Sequence, residues 1–144
     1  MKISTKGRYA LRMLVDIALH QEEGYISLKD ISERQNISKK YLEQIVPLLN
    51  KSGILKTSRG KRGGYRINGE PKNYTVGDVL RATEGSLAPV ACLDYSPNDC
   101  ERINQCVTLP IWEGLYKLIT DYLDGITIQD ISDKCINFND HYYI

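Results

Sequence analysis

One seven-residue run sets the terms for the first half of the chain: Ser58-Arg59-Gly60-Lys61-Arg62-Gly63-Gly64. Three glycines and three cations so close together do not build a helix interior or a packed strand. Glycine forfeits backbone entropy in both, and the charges must stay in water. On either side stand short segments with strand character, Ile54-Leu55-Lys56-Thr57 and Tyr65-Arg66-Ile67. The pattern predicts a β-hairpin with a protruding basic tip carrying Arg59, Lys61 and Arg62. A phosphate-cradling nucleotide loop does not fit, because neither GxxxxGK[ST] nor GxGxxG stands before a helix here.

Upstream of the hairpin the apolar spacing is helical. Tyr9, Met13, Ile17 and Ala10, Leu14, Ala18 predict an amphipathic helix from about Thr5 to Gln21. Gly24 closes a turn. Ser27-Leu28-Lys29-Asp30 reads as a capped helix start with Leu28, Ile31 and Ile37 inward, and Asn36 ends it. Ser38 caps the next helix, Lys39 to Asn50, with Tyr41, Leu42, Ile45, Leu48 and Leu49 inward and Gly53 as its stop. Two short helices joined by a tight turn and followed by a basic hairpin predict a winged helix-turn-helix. The second helix would lie in a major groove of double-stranded DNA. Its polar candidates are Ser38, Lys39, Lys40, Glu43 and Gln44. Gln can pair bidentately with adenine and Glu can accept from cytosine N4, while the lysines suit phosphate. Arg59 is placed to enter a narrow minor groove.

Charge supports a polyanionic partner. The total of +1 conceals 14 basic against 6 acidic residues in positions 1–66, and 5 against 12 in positions 67–144. The first half is therefore +8 and the second −7. Lys2, Lys6, Arg8 and Arg12 cluster around the first turns of the first helix, where they oppose the helix dipole, so phosphate contact explains them better than stability does. A basic solvated face without a partner is the competing explanation. No run of 18 apolar residues exists in the 144, and the N-terminus has no secretory pattern. The expected compartment is the cytoplasm.

The acidic half starts with a capped helix at Thr75-Val76-Gly77-Asp78, with Val79, Leu80 and Ala82 inward, closing at Glu84-Gly85. Ser86 to about Gln105 reads as a long loop marked by Pro89, Pro97, Asn98 and Asp99. From about Thr108 the longest C-terminal helix follows, with Pro110 in its first turn. Ile111, Leu115, Leu118 and Tyr122 make one apolar stripe, and Trp112, Ile119 and Leu123 a second. That is wider than one small domain needs, which predicts a two-fold homodimer on this helix, unless both stripes pack within one subunit. A short capped helix is expected from Thr127 to about Cys135, then an aromatic tail of Phe138, Tyr142, Tyr143 and Ile144 that suits a protein partner.

Cys92-x7-Cys100-x5-Cys106 places three thiols in the long loop. Thiolates suit an iron–sulfur cluster, zinc or copper(I). Free thiols and a reversible disulfide are the alternatives. A fourth ligand would come from Cys135, a carboxylate or the other subunit. Cys135 itself reads as a small core residue, and His20 and His141 as ordinary surface or packing residues. No paired acid–base constellation is present, so an enzyme is not expected.

The runs Met1-Lys2-Ile3-Ser4-Thr5-Lys6-Gly7-Arg8-Tyr9-Ala10, Asp30-Ile31-Ser32-Glu33-Arg34-Gln35, Tyr41-Leu42-Glu43-Gln44 and Arg59-Gly60…Gly63-Gly64-Tyr65 resemble the Rrf2 family over nearly the whole chain. The resemblance implies a homodimeric winged-helix transcription factor, in most members a repressor, with a long C-terminal dimerisation helix. It implies DNA reading by Glu43, Gln44 and Arg59. It also implies a [2Fe–2S] or [4Fe–4S] centre on Cys92, Cys100 and Cys106, or zinc, or an empty loop. Leu109 stands where the cluster-binding branch carries a histidine, and Arg8 where the nitric-oxide-sensing branch carries an acidic ligand. The tail Tyr142-Tyr143-Ile144 is similar to the cysteine-metabolism branch, which lacks the three cysteines.

The reading is therefore a mainly α protein with a small β-hairpin wing. Residues 1–84 form the winged helix-turn-helix, 85–107 a cysteine-containing sensor loop, and 108–144 the dimerisation helix and tail. Its activity is regulation of transcription at a pseudopalindromic operator. A metal-binding or redox-responsive protein-interaction module without DNA readout is the competing assignment.

Overall fold

The computed structural model describes residues 2–142, with side chains through Phe138. Six helices and one hairpin follow in the order α1 (Thr5–His20), α2 (Leu28–Gln35), α3 (Lys39–Lys51), β1 (Leu55–Ser58), β2 (Gly64–Ile67), α4 (Val76–Glu84), α5 (Leu109–Asp124) and α6 (Ile128–Tyr142). The mainly α winged architecture is as expected. Tyr143 and Ile144 of the aromatic tail lie outside the described residues, as do the side chains of His141 and Tyr142.

Most helix starts are set by side-chain oxygens that the sequence displays. The hydroxyls of Ser4, Ser27, Ser38 and Thr75 accept from the backbone N–H groups of Gly7, Asp30, Tyr41 and Asp78. Thr75 and Asp78 form a full capping box, and Thr127 and Asp130 bond reciprocally at the start of α6 in the same way. Asn36 ends α2 at φ 52°, a left-handed position that asparagine tolerates. Thr108 precedes α5 but caps nothing with its side chain.

Helix α1 is the axle. It packs against α2, α3, α4, α6 and β2. Its Ala10, Met13, Leu14 and Ile17 are fully buried, with Ile31, Leu42, Ile45 and Leu49 from the helix-turn-helix, Val79 from α4 and Ile128 from α6. A smaller cluster joins Val76, Leu80 and Leu87 to Ile3, Tyr116, Leu123, Ile126 and Ile131. Fully burying each aliphatic side chain is worth roughly 1.5–3 kcal/mol, so this core outweighs any surface ion pair.

The hairpin pairs Leu55 with Ile67 and Ser58 with Gly64. Its first strand begins one residue later than expected, because Ile54 is spent on bonds beside the strand: its N–H bonds the Leu49 carbonyl, and its own carbonyl accepts from Asn68. A third segment, absent from the sequence reading, joins the sheet. Ile26 and Tyr65 exchange N–H···O bonds of 2.9 and 2.8 Å, tying the turn before α2 to the wing. Gly64 permits this: at φ 155° a Cβ there would collide with the Ile26 carbonyl oxygen.

Two expectations are corrected. Helix α6 does not stop near Cys135 but runs to Tyr142. Neither Gly nor Pro follows Cys135, so nothing interrupts the helical ladder. The long loop is not wholly irregular either, since single 3₁₀ turns occur at Ala91–Leu93 and Ile103–Gln105. No helix among the described residues is long and apolar enough to cross a membrane.

Candidate nucleic-acid interface and cysteine loop

Helix α3 buries Leu42, Ile45, Val46 and Leu49, so its opposite side is left to solvent. Ser38, Lys39, Lys40, Glu43 and Gln44 are all exposed there. Pro47 extends the same side. It is exposed and lacks the N–H that would bond the Glu43 carbonyl. Arg59, Lys61 and Arg62 are exposed at the wing tip, where Gly63 donates to the Gly60 carbonyl at 3.0 Å in a tight turn. Lys2 and Arg8 are exposed at the start of α1. Arg8 is steadied by a 2.9 Å bond from its guanidinium to the Thr5 hydroxyl.

A network absent from the sequence reading ties α1 to the end of α2, just before α3. Asp16 of α1 is 1% exposed. Its carboxylate accepts from the Arg34 guanidinium at 2.7–3.2 Å and from the Gln35 amide at 2.9 Å. Arg34 and Gln35 form the end of α2, directly before the turn into α3. Arg12 reaches the same place, donating to the Gln35 side-chain and backbone carbonyls, with its guanidinium 5.3 Å from the centre of the Tyr9 ring. Tyr9 meets Tyr41 of α3 edge to face at 5.4 Å. An acid inside Met13-Leu14-Val15-Asp16-Ile17 is the one signal that could have exposed this network, since a charge on a buried face demands a partner.

A second ionic network joins α4 to the end of α5. Arg81 donates to Asp124 at 2.6 Å and to Asp78 at 3.3 Å, and Thr75 bonds Asp124 at 3.3 Å. Gly77 makes room for it, because a Cβ there would overlap the Asp124 carboxylate. On α5 the two predicted stripes separate. Ile111, Leu118 and Tyr122 are 60–69% exposed and Leu115 is 38%, while Trp112, Ile119 and Leu123 are half-buried.

Cys92, Cys100 and Cys106 are half-exposed free thiols. By type they suit an iron–sulfur cluster or zinc, but their arrangement does not form such a site. Among the described residues no three His, Cys, Asp or Glu side chains converge on a common point. Cys106 stands apart chemically. The Thr108 hydroxyl, 3.5 Å from its sulfur, and the backbone N–H groups of Thr108 and Leu109 pull its thiol below the ordinary cysteine range. Nearby, Asn98 accepts from the Cys100 N–H at 2.9 Å while its own amide nitrogen is buried without a partner. Cys135 packs against the main core, as expected.

A helix-turn-helix braced by an N-terminal helix and flanked by a hairpin, with polar side chains turned outward on its second helix, defines the class of winged-helix transcriptional regulators. The chain belongs to the Rrf2 family, whose model, described as an iron-dependent transcriptional regulator, matches residues 3–134. It is 40% identical over 131 residues to the transcriptional regulator IscR of Aliivibrio salmonicida, covering 91% of this chain and 77% of that one. It is also 40% identical to the protein rrf2 of Nitratidesulfovibrio vulgaris, covering 87% of that protein. Among solved structures, CymR, the global cysteine regulator of B. subtilis, superposes with a TM-score of 0.76 at 36% identity, over 93% of this chain and 98% of that one. T. potens IscR gives 0.75 at 39% identity, over 94% and 88%. These relatives are regulators of transcription, not enzymes, and so is this chain.

Proposed function

We propose that this protein is a cytoplasmic, sequence-specific DNA-binding repressor that acts as a homodimer on a pseudopalindromic operator. The observation that carries the reading is the joint exposure of the α3 polar side and the basic wing tip on one +8 half of the chain. In this reading Glu43, Gln44 and Ser38 contact base edges, with each good pair worth about 1–3 kcal/mol of discrimination. Lys2, Arg8, Lys39, Lys40, Lys61 and Arg62 neutralise phosphates, and Arg59 enters the minor groove. Residues 1–84 serve as the reading head, 85–107 as the responsive loop and 108–144 as the coupling between subunits and a surface for a protein partner.

The loop is read as a thiol-responsive element. Its three cysteines and the acidified Cys106 support that reading. Holding an iron–sulfur cluster would require the loop to draw the three thiols together, with Leu109 supplying no fourth ligand.

Fluorescence anisotropy against the chain's own upstream region tests the assignment. Binding is expected to be sequence-selective and to weaken steeply with salt. Arg59→Glu and Lys39→Glu should abolish it while the fold persists. Equal affinity for operator and scrambled DNA would overturn it. A protein purified and reconstituted without oxygen that stays colourless and binds no iron would assign the loop to thiol chemistry alone.

A further inference from the structure

We propose that Tyr9 and Arg12 of α1 are positioning residues for DNA reading: they clasp the turn between α2 and α3 from both sides and hold the first turn of α3 in place. The two are three residues apart, so one face of α1 carries both. The turn is short. Asn36, Ile37 and Ser38 alone separate Gln35, the last residue of α2, from Lys39, the first of α3. Before the turn, the Arg12 guanidinium donates from Nε to the Gln35 side-chain carbonyl at 3.3 Å and from Nη2 to the Gln35 backbone carbonyl. That backbone carbonyl is one of the last four of α2, which lack partners within the helix, and the helix dipole favours a cation there. After the turn, the Tyr9 ring meets Tyr41 edge to face with centroids 5.4 Å apart. Tyr41 lies in the first turn of α3, where its N–H bonds the Ser38 hydroxyl at 3.1 Å. The Arg12 guanidinium lies 5.3 Å from the centre of the Tyr9 ring, which joins the two grips.

Phosphate contact is the competing role for Arg12, one of the cations at the start of α1. Its Nε and Nη2 are already given to Gln35 and its guanidinium lies against Tyr9, so it acts through α3 and not on DNA. A lysine ammonium would carry the same charge but cannot reproduce a planar fork set against a ring. Bidentate base contacts demand a fixed geometry, whereas phosphate attraction tolerates displacement. Loosening the clasp therefore costs operator selectivity and spares general affinity. The effect on reading rests on the assignment of α3 to DNA; the clasp itself does not.

The test uses the full chain with Arg12→Lys, which keeps the charge, and Tyr9→Leu, which removes the ring. Anisotropy is measured against the chain's own upstream region and against a scrambled duplex of equal length. Arg12→Lys is expected to lose about tenfold in affinity for the upstream region, the worth of one charge-assisted hydrogen bond. Affinity for the scrambled duplex, and its salt dependence, should match the parent. Tyr9→Leu should show the same pattern, and the double variant no more than the larger single loss, because either change opens one clasp. If Tyr9→Leu does not fold, Arg12→Lys decides. Full operator affinity in Arg12→Lys would assign the residue to phosphate and overturn the proposal, as would an equal loss on both duplexes. Amide hydrogen exchange of the DNA-free chain is the second readout. The Tyr41 and Leu42 amides, which bond Ser38, should exchange faster in the variants, while the Ile54 amide beyond the far end of α3 keeps the parent's rate. Unchanged exchange at Tyr41 and Leu42, or equal acceleration at Ile54, overturns the clasp. A parent that binds both duplexes equally would end the DNA assignment instead, and the exchange rates would then decide the clasp alone.

Discussion

Asp16 ties α1 to the end of α2, directly before the turn into α3. Its carboxylate gathers the Arg34 guanidinium and the Gln35 amide at the end of α2, where the chain turns toward α3. Asp16→Ala leaves a guanidinium facing a buried gap. Arg34 is about a third exposed and can turn to water, which softens the loss. A destabilisation of about 2 kcal/mol is expected, at the lower end for charged hydrogen-bonded pairs, measured by urea unfolding. DNA affinity should fall in the surviving folded fraction as well, because α3 loses its bracing. At Cys106 the prediction concerns reactivity. The Thr108 hydroxyl and the first backbone N–H groups of α5 favour its thiolate. Near neutral pH it should alkylate faster than Cys92, Cys100 or Cys135, and Thr108→Val should slow it. Peptide mass mapping after a short iodoacetamide pulse reads both, and equal rates at all four cysteines would refute the assignment.

At the scale of elements, the helix starts were legible because capping is local. Ser27, Ser38 and Thr75 declare their helices within four residues, and the structure realises each. The hairpin was legible for the same reason, since its glycines and cations admit few other conformations. What the sequence left unread depends on partners distant in the chain. The Ile26–Tyr65 bridge needs the fold to bring residues 39 positions apart together. The Asp16 network needs α2 to lie on α1. The three thiols could be recognised as a set, yet their spacing along a loop did not determine how far apart the fold would hold them. The caps also carry a pH dependence. Burial works to raise the Asp78 carboxyl, but the Thr75 N–H and Arg81 outweigh it and hold it below its usual value of 3.8. The Thr127 N–H and hydroxyl lower Asp130 in the same direction. A carboxyl depressed in the folded state contributes stability that is complete above its unfolded pKa and is lost as pH falls through the folded value. Stability from these caps should be level from about pH 5 to 8 and decline below about pH 4. Asp78→Asn with Asp130→Asn should flatten that acid limb, as followed by thermal melts across pH.

For the whole molecule, the division of charge and of apolar surface makes one argument. The first 66 residues carry +8 and the rest −7, so the net positive charge of a single chain lies in its first half. Helix α5 turns Ile111, Leu115, Leu118 and Tyr122 outward in one stripe, and burying that stripe against a copy of itself by two-fold symmetry would bring two heads onto one duplex. Linking two heads raises affinity through effective concentration, typically by about 10²–10⁴, without a new contact to DNA. Leu118 is 69% exposed, so Leu118→Glu has little to disturb inside the subunit. It should leave the helical content of the subunit close to that of the parent. Light scattering should find the parent at about twice 16.4 kDa and the variant at a single chain's mass. Operator affinity should drop by about a hundredfold or more, with the remaining binding following a shallower salt dependence, because one head releases fewer counterions than two. A Leu118→Glu protein that stays dimeric would move the interface off this stripe. A monomeric variant with unchanged operator affinity would mean that each head reads its half-site alone.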